Sequence, residues 1–211
     1  MSDITAIIPA AGTNARLKDV VPPGLKPLLL INGRPLIQHA VSHALDAWRA
    51  SKIVIVVNPD NARAITAIID HRWNFVVQPE PAGIIDAIRR ALPFVKTRHT
   101  LLLCADNTFE GGVICPTADE QYIAIRRDLP PAEVQRFTRV CRLSNGQCKI
   151  IQPNEAVWNT EVWIGPLVVL TYRLAQAIDD GGDDLIAVLQ RVGPFTPIEM
   201  ACSDLGVPEA L

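Results

Sequence analysis

The most constraining feature of the sequence is the run Lys52–Val57 (KIVIVV), which is short, almost continuously apolar and rich in β-branched residues. Such a run is typical of a central strand covered on both faces, the environment of a parallel sheet. Similar segments occur at Ile4–Pro9 and at residues 100–104, and apolar residues at helical spacing begin at Pro35 and Gly83. The alternation predicts an α/β fold with a mixed, mostly parallel sheet and helices on both faces.

The second half of the sequence has a different pattern. After Asp106 the next strong helix signal begins near Tyr172, and Asn145-Gly146 between two strand-like segments is a strong hairpin signal. The strands of this half are therefore predicted to be antiparallel. Because the 211 residues contain no repeat and no linker, we expect one domain over residues 1–211.

Composition and charge exclude several functional classes. Apolar residues make up 49% of the chain, and 20 Lys and Arg against 22 Asp and Glu give a formal charge of −2, so no broad basic field suited to nucleic acid is expected. No apolar stretch approaches the about 18 residues of a membrane span, and the start of the chain lacks the cations of a signal peptide. We expect a cytoplasmic protein that binds neither nucleic acid nor membranes.

A loop of small residues follows the first predicted strand. It contains Ala10, Ala11, Gly12 and Thr13, and Arg16 lies three residues further on. Small residues let backbone N–H groups approach a polyphosphate, and an arginine adds a permanent charge with forked donors. Taken alone, a strand followed by a tight turn is an ordinary feature of α/β folds.

The rest of this loop makes the pattern specific. Lys26-Pro27-Leu28 begins ten residues after Arg16, and Asn32-Gly33-Arg34-Pro35-Leu36-Ile37 follows. Residues 7–37 resemble, without a gap, the N-terminal signature of the sugar-1-phosphate nucleotidyltransferases, AAG-x-G-T-R-L…PKPLLPV-x-G-x-PLI. The resemblance implies that Arg16 and the loop backbone, from Ala10 to Thr13, hold a nucleoside triphosphate while Lys26 meets its α-phosphate.

Three further segments match the same family in order. Gln78 to Gly83 resembles the segment in which a Gln amide and a Gly backbone read the base, with the spacing of the thymidylyltransferase and uridylyltransferase branch. Asp106, before Asn107, resembles an Asp that ligates Mg²⁺, and Asp204 resembles the second carboxylate of that metal site. Mg²⁺ is commonly held by one or two carboxylates together with substrate phosphates.

The resemblance also implies a fold and a division of labour. The fold is the Rossmann-like type of the nucleotide-diphospho-sugar transferases, with a nucleotide-binding part over about residues 1–110 and a sugar-binding part over about 111–211. Gly165 is the counterpart of a family glycine near the sugar. Asn14-Ala15 replaces the signature's Gly-Thr, and residues 151–155 depart from the family's E-E-K-P segment, so the sugar stays open.

These features predict an enzyme that transfers NMP from UTP or dTTP to a sugar 1-phosphate, with Mg²⁺ as cofactor. The partners are then a nucleoside triphosphate and a sugar 1-phosphate, and a homo-oligomer is compatible with the sequence. Two alternatives stay open. One is a cytidylyltransferase acting on a sugar-alcohol phosphate, because Pro9 to Gly12 and Arg16-Leu17 also resemble that group. The other is a non-catalytic regulatory subunit that binds nucleotide sugars, because of Asn14-Ala15.

Overall fold

The computed structural model describes residues 3–13, 21–22, 24–105, 107–110, 116–117, 119–127, 129, 134, 137–152 and 161–204. The strands are β1 (Ile4–Pro9), β2 (Leu30–Ile31), β3 (Arg34–Pro35), β4 (Lys52–Val57), β5 (Asn74–Val77), β6 (His99–Leu102), β7 (Asn107–Glu110), β8 (Tyr122–Arg126), β9 (Thr138–Arg142), β10 (Cys148–Ile150), β11 (Val162–Leu170), β12 (Thr196–Glu199) and β13 (Ala201–Asp204). The α-helices are α1 (Leu36–Asp46), α2 (Pro59–Ile68), α3 (Gly83–Ala91), α4 (Thr171–Asp179) and α5 (Leu185–Val192).

Nine of these strands form one sheet with β1 at its centre. The order is β10-β9-β11-β6-β1-β4-β5, with β8 between β11 and β12. β1 runs parallel to β4 on one side and to β6 on the other, so that Thr5 lies opposite both Lys52 and Thr100. The chain builds outward from β1 to β5 and then returns through α3 to β6. This reversal leaves the carboxyl ends of β1 and β6 side by side, at the position where open α/β sheets bind ligands.

The second half of the sheet is largely antiparallel, as the sequence predicts. β11 pairs antiparallel with β6, β8 and β9, and β9 and β10 form a hairpin around Asn145-Gly146. Gly146 has a φ of +84°, which an Asn-Gly turn accommodates without strain. One pairing departs from the expectation, since β12 runs parallel to β8. The chain reaches β12 only after α4 and α5, a connection long enough for parallel pairing.

Helices cover the sheet on both faces, and two separate clusters of buried side chains result. In β1, Ile4, Ala6 and Ile8 face the cluster that contains residues of α1 and α2, while Ile7 faces the cluster that contains residues of α3, α4 and α5. This alternation follows from the two-residue period of a strand. The predicted fold class, a Rossmann-like mixed and mostly parallel sheet with helices on both faces, is thereby confirmed.

Two helix boundaries are set by prolines and by a capping side chain. α2 begins at Pro59, because Asn58 caps it and a proline fits the first helical position. α3 ends at Ala91 and continues as a 3₁₀ turn over Leu92–Phe94, because Pro93 cannot donate the next helical hydrogen bond. In the part of the chain that is described, every helix is too short or too polar to traverse a lipid bilayer.

Candidate functional site

A cavity of about 380 Å³ opens at the carboxyl ends of β1, β5 and β6. Its wall is formed by small and apolar residues, one cation and one buried amide: Pro9, Ala10, Ala11, Gly12, Thr13, Lys26, Pro27, Gln78, Pro81, Gly83, Ile84, Ala87, Cys104 and Ala105. These residues come from four segments: residues 9–13, 26–27, 78–87 and 104–105. The sheet topology brings the first, third and fourth segments together, because each follows a parallel strand of one sheet.

The loop after β1 forms one side of the cavity. Ala10 and Ala11 are buried, and the Ala10 N–H donates to the carbonyl of Val56 at 2.7 Å, which anchors the loop to β4. Gly12 and Thr13 are exposed, and a Cβ atom placed on Gly12 would meet no other atom within 4 Å. The space in front of the loop is therefore open to a ligand that approaches the backbone.

Lys26 also lines the cavity and is the first residue of the short 3₁₀ helix Lys26–Leu28. Its side chain is only 8% exposed although it carries a positive charge. Pro27 follows it and restricts the backbone at this point. Lys26 thus adds a cationic side chain to a wall made mostly of small and apolar residues.

Two asparagines at the start of α2 hold the loop after β1 and the segment that carries Lys26. Asn61 is fully buried, and its Nδ2 donates to the carbonyls of Ala10 and Gly24, both at 2.7 Å. Asn58 donates from Nδ2 to the carbonyl of Ala11 at 3.3 Å. Gly24 has a φ of +77°, and a Cβ atom there would lie 2.5 Å from Asn58 Nδ2, so the close approach requires glycine.

Gln78 forms the third polar element of the cavity, after β5. Its side chain is 4% exposed, and its backbone N–H donates to the carbonyl of Val57 at 2.8 Å. The side-chain Nε2 donates to the Gly83 carbonyl at 3.0 Å and to Asp86 Oδ2 at 2.9 Å. Arg90 Nε donates to the same Asp86 oxygen at 2.6 Å, and this hydrogen bond lowers the pKa of Asp86. The Asp86 carboxylate is therefore ionised near neutral pH.

Asp106 and Asp204 are the two predicted metal ligands. Asp106 and the side chain of Asp204 lie outside the described part of the chain. Asp204 is the last residue of β13. This strand pairs antiparallel with β7, so that the backbone of Asp204 lies opposite that of Asn107. The strand register thus brings residue 204 next to the residue that follows Asp106. Across the described residues, His, Cys, Asp and Glu do not form a cluster of three that could hold a metal ion.

The structure brings most, but not all, of the predicted site residues together in the cavity wall. Seven predicted residues line the cavity: Ala10, Ala11, Gly12, Thr13, Lys26, Gln78 and Gly83. Arg16 lies outside the described residues. Gly165 lies within β11, where the pairing with β8 is irregular and its φ is +123°, and it is not among the residues of the cavity wall.

Several site residues were not predicted from the sequence. Cys104 and Ala105 belong to the wall, and their position directly before Asp106 was the available signal. Asn61 was not predicted, although Asn58 at the N-cap and Asn61 three residues later form a capping pattern. Asp86 carries no signal of its own, because its contact with Gln78 depends on how α3 packs beside β5.

The family model for the MobA-like NTP transferase domain matches residues 6–123, which is more than half of the chain and includes every described wall residue. The chain belongs to the MobA-like NTP transferase family. The resemblance to the sugar-1-phosphate nucleotidyltransferases is confirmed at the level of the family. This places the chain in a family of nucleotidyltransferases and leaves its own substrates to be proposed.

Relatives agree with the family assignment. The chain is 36% identical over 101 residues to the bifunctional protein GlmU of Burkholderia ambifaria strain MC40-6, which covers 47% of the chain and 21% of that protein. It is 35% identical over 185 residues to the GlmU of Burkholderia lata, covering 76% of the chain and 40% of that protein. The chain thus spans less than half the length of these curated relatives.

Solved structures agree on the fold. A protein from Bacillus anthracis assigned as a glucose-1-phosphate thymidylyltransferase superposes with a TM-score of 0.81 at 16% identity, covering 98% of this chain and 92% of the other. A UTP-bound UGPase from Acinetobacter baumannii superposes with a TM-score of 0.75 at 16% identity, covering 98% and 90%. At these identities the likeness establishes the architecture of this MobA-like domain.

Proposed function

We propose that this chain transfers the NMP group of UTP or dTTP to a sugar 1-phosphate and releases pyrophosphate. The observation that carries the proposal is the cavity at the carboxyl ends of β1, β5 and β6. It combines a small-residue loop, a buried lysine and a buried glutamine in one wall. These three elements are suited to polyphosphate, to the reacting phosphate and to a base, respectively.

The triphosphate lies along residues 10–13 in this proposal. Backbone N–H groups of Gly12 and Thr13 donate to phosphate oxygens, and Arg16 adds a permanent charge to the leaving pyrophosphate. Lys26 stabilises the negative charge that develops at the α-phosphate. A phosphate oxygen of the sugar 1-phosphate attacks the α-phosphorus, the bond from that phosphorus to the bridging oxygen breaks, and pyrophosphate leaves. The protein supplies position and charge, and no protein nucleophile takes part.

The base lies against Gln78 and the start of α3. Gly83 is the first residue of α3, so its N–H and those of the first turn have no partner within the helix. Such groups donate to the carbonyl oxygens of a pyrimidine. Gln78 contributes the complementary hydrogen bond from inside the wall.

The residues that would hold Mg²⁺ are Asp106 and Asp204. The pairing of β7 with β13 supports this assignment, because it places Asp204 opposite Asn107 at the end of the chain segment that follows β6. Carboxylate oxygens are also the donors that Mg²⁺ prefers. When bound, the ion would supply positive charge that stabilises the negative charge of the phosphates.

The sugar lies toward the second half of the chain, where Gly165 is the proposed contact. A glycine with a φ of +123° inside a strand allows a close backbone approach that a side chain would block. In this proposal residues 1–211 act as one domain, with the nucleotide on the parallel half of the sheet and the sugar on the antiparallel half.

The test is an assay of pyrophosphate release from each NTP in combination with a panel of sugar 1-phosphates. We expect release with UTP or dTTP that depends on one sugar 1-phosphate, and loss of that release in Asp106→Asn. Release that is equal without any sugar phosphate would indicate hydrolysis instead of transfer. No release from any pair, with nucleotide binding intact, would favour a regulatory nucleotide-binding protein.

A further inference from the structure

The amide of Gln78 is held in one orientation by its neighbours. Both hydrogens of Nε2 are used, one by the Gly83 carbonyl at 3.0 Å and one by Asp86 Oδ2 at 2.9 Å. A carbonyl and an ionised carboxylate accept hydrogen bonds and donate none. The opposite orientation would set the amide oxygen against two other acceptors. These two acceptors therefore hold the NH₂ group of Gln78 toward Gly83 and Asp86.

The Asp86 carboxylate is in turn fixed by an arginine one helical turn away. Arg90 Nε donates to Asp86 Oδ2 at 2.6 Å, and both residues lie on α3 with the spacing that favours such pairs. The Asp86 side chain is 19% exposed and Arg90 is 40% exposed, so the pair lies at the edge of the wall. Arg90, Asp86 and Gln78 form a chain of hydrogen bonds that runs from the surface into the cavity.

This chain leaves Oε1 as the polar atom that Gln78 offers to a ligand. Oε1 accepts no hydrogen bond from the described residues, while Gln78 itself lines the cavity. We propose that Asp86 and Arg90 are positioning residues that make Gln78 an acceptor and thereby select a base whose ring nitrogen carries a hydrogen. The inference rests on the proposed function, because it assumes that the base lies in this cavity.

The selection follows from the edges of the bases. Uracil and thymine carry a hydrogen on N3, and guanine carries one on N1, so each donates to Oε1. Cytosine N3 and adenine N1 carry no hydrogen and would face Oε1 as a second acceptor. An unsatisfied buried acceptor costs enough to change affinity by about tenfold or more. Among pyrimidine nucleotides, this site therefore discriminates against CTP.

The experiment is calorimetric titration of the full chain with UTP, dTTP, CTP and GTP, in the presence of Mg²⁺. In the wild-type protein we expect UTP or dTTP to bind at least about tenfold more tightly than CTP. In Asp86→Asn the new amide can donate to the Gln78 oxygen, so only the Gly83 carbonyl still opposes the turned orientation of the Gln78 amide. The ratio of CTP to UTP dissociation constants should then fall by about tenfold.

The matched control is Asp183→Asn. Asp183 is exposed, and its carboxylate forms a salt bridge at 3.4 Å with Arg89, which lies on α3 like Asp86 and Arg90. Asp183→Asn should leave the ratio of CTP to UTP dissociation constants unchanged. Arg90→Gln tests the outer end of the chain and should lower the ratio by a smaller factor. A ratio, unlike a single affinity, does not change when a variant merely weakens the fold.

The outcomes separate the two levels of the proposal. A wild-type protein that binds no pyrimidine nucleotide overturns the proposed function itself. A wild-type protein that prefers UTP, with the preference intact in Asp86→Asn and in Arg90→Gln, overturns only the role of Asp86. Equal loss of affinity for every nucleotide would mark Asp86 as a structural residue.

Discussion

The parallel and antiparallel halves of the sheet both bury amide side chains, as Gln121 shows in the antiparallel half, but among the described residues only those of the parallel half lie beside the cavity. In the parallel half, Asn61 and Gln78 are buried and hydrogen-bond to backbone carbonyls beside the cavity. In the antiparallel half, Glu161 accepts hydrogen bonds from Arg127 at 2.8 Å and from Arg142 at 2.9 Å, and both arginines are partly exposed. Buried amides fix a geometry without adding charge, whereas ion pairs with partly exposed partners add less stability because solvent screens the charges.

This difference explains which part of the chain the family model matches. The family model ends at residue 123, so it covers the parallel half and stops before β9 to β11. The cavity of the parallel half is preformed, and the buried amides of Asn61 and Gln78 lie beside it. The proposed function therefore assigns the reaction to the parallel half and the choice of sugar phosphate to the antiparallel half.

The largest expected effect comes from the buried cation of the parallel half. Lys26→Met keeps the length of the side chain and removes the charge, so kcat should fall by about 10²- to 10³-fold if the lysine stabilises the transition state. Steady-state kinetics measure this loss. Lys96→Met, on an exposed lysine, is the control and should change kcat by less than about twofold. Similar kinetics in both variants would remove Lys26 from the reaction.

A loss of stability is expected when the buried amide of Asn61 is changed. Asn61→Asp keeps the shape of the side chain but sets a carboxylate against the carbonyls of Ala10 and Gly24, which should cost about 3 kcal/mol or more. Denaturant unfolding measures the change. The same substitution in the antiparallel half, Asn145→Asp at an exposed turn, should cost less than about 0.5 kcal/mol. Equal costs would mean that the burial of the Asn61 amide does not contribute to stability.

Acid sensitivity should arise from the parallel half. Burial lowers the pKa of His43, on α1, to about 4, below the value of about 6.5 expected in the unfolded chain. As the pH falls below 6.5, the unfolded state therefore takes up a proton before the folded state does, and stability decreases until about pH 4. The contribution is about 1 to 3 kcal/mol. Unfolding free energies of His43→Gln and wild type, compared between pH 8 and pH 4, should show a shallower slope in the variant.

The smallest effect is expected from the ion pairs of the antiparallel half. Glu161→Gln should lower stability by about 1 kcal/mol or less at low salt, because its arginine partners are partly exposed and screened. In high salt the difference from wild type should shrink further. Thermal unfolding at two salt concentrations measures both values. A large, salt-independent loss would show that this network is as important as the buried amides.

The sequence predicts local elements well and long-range contacts poorly. The bounds of β1 and β4 agree with the apolar runs, because a buried strand needs an apolar residue at nearly every position. Lys26 and Gln78 were recognised because they lie in motifs with fixed spacing. The contact of Asn61 with Ala10 and Gly24 joins segments 51 and 37 residues apart, and no local pattern encodes it. The same limit applies to Asp86, whose partner Gln78 lies on the preceding loop.

The central claim is that the cavity at the carboxyl ends of β1, β5 and β6 binds the nucleotide. The most direct test is a crystal structure of the full chain grown with UTP and Mg²⁺. The account predicts uracil N3 within hydrogen-bond distance of Gln78 Oε1, and the triphosphate along residues 10–13 beside Lys26. UTP bound at another surface, with this cavity holding only solvent, would contradict it.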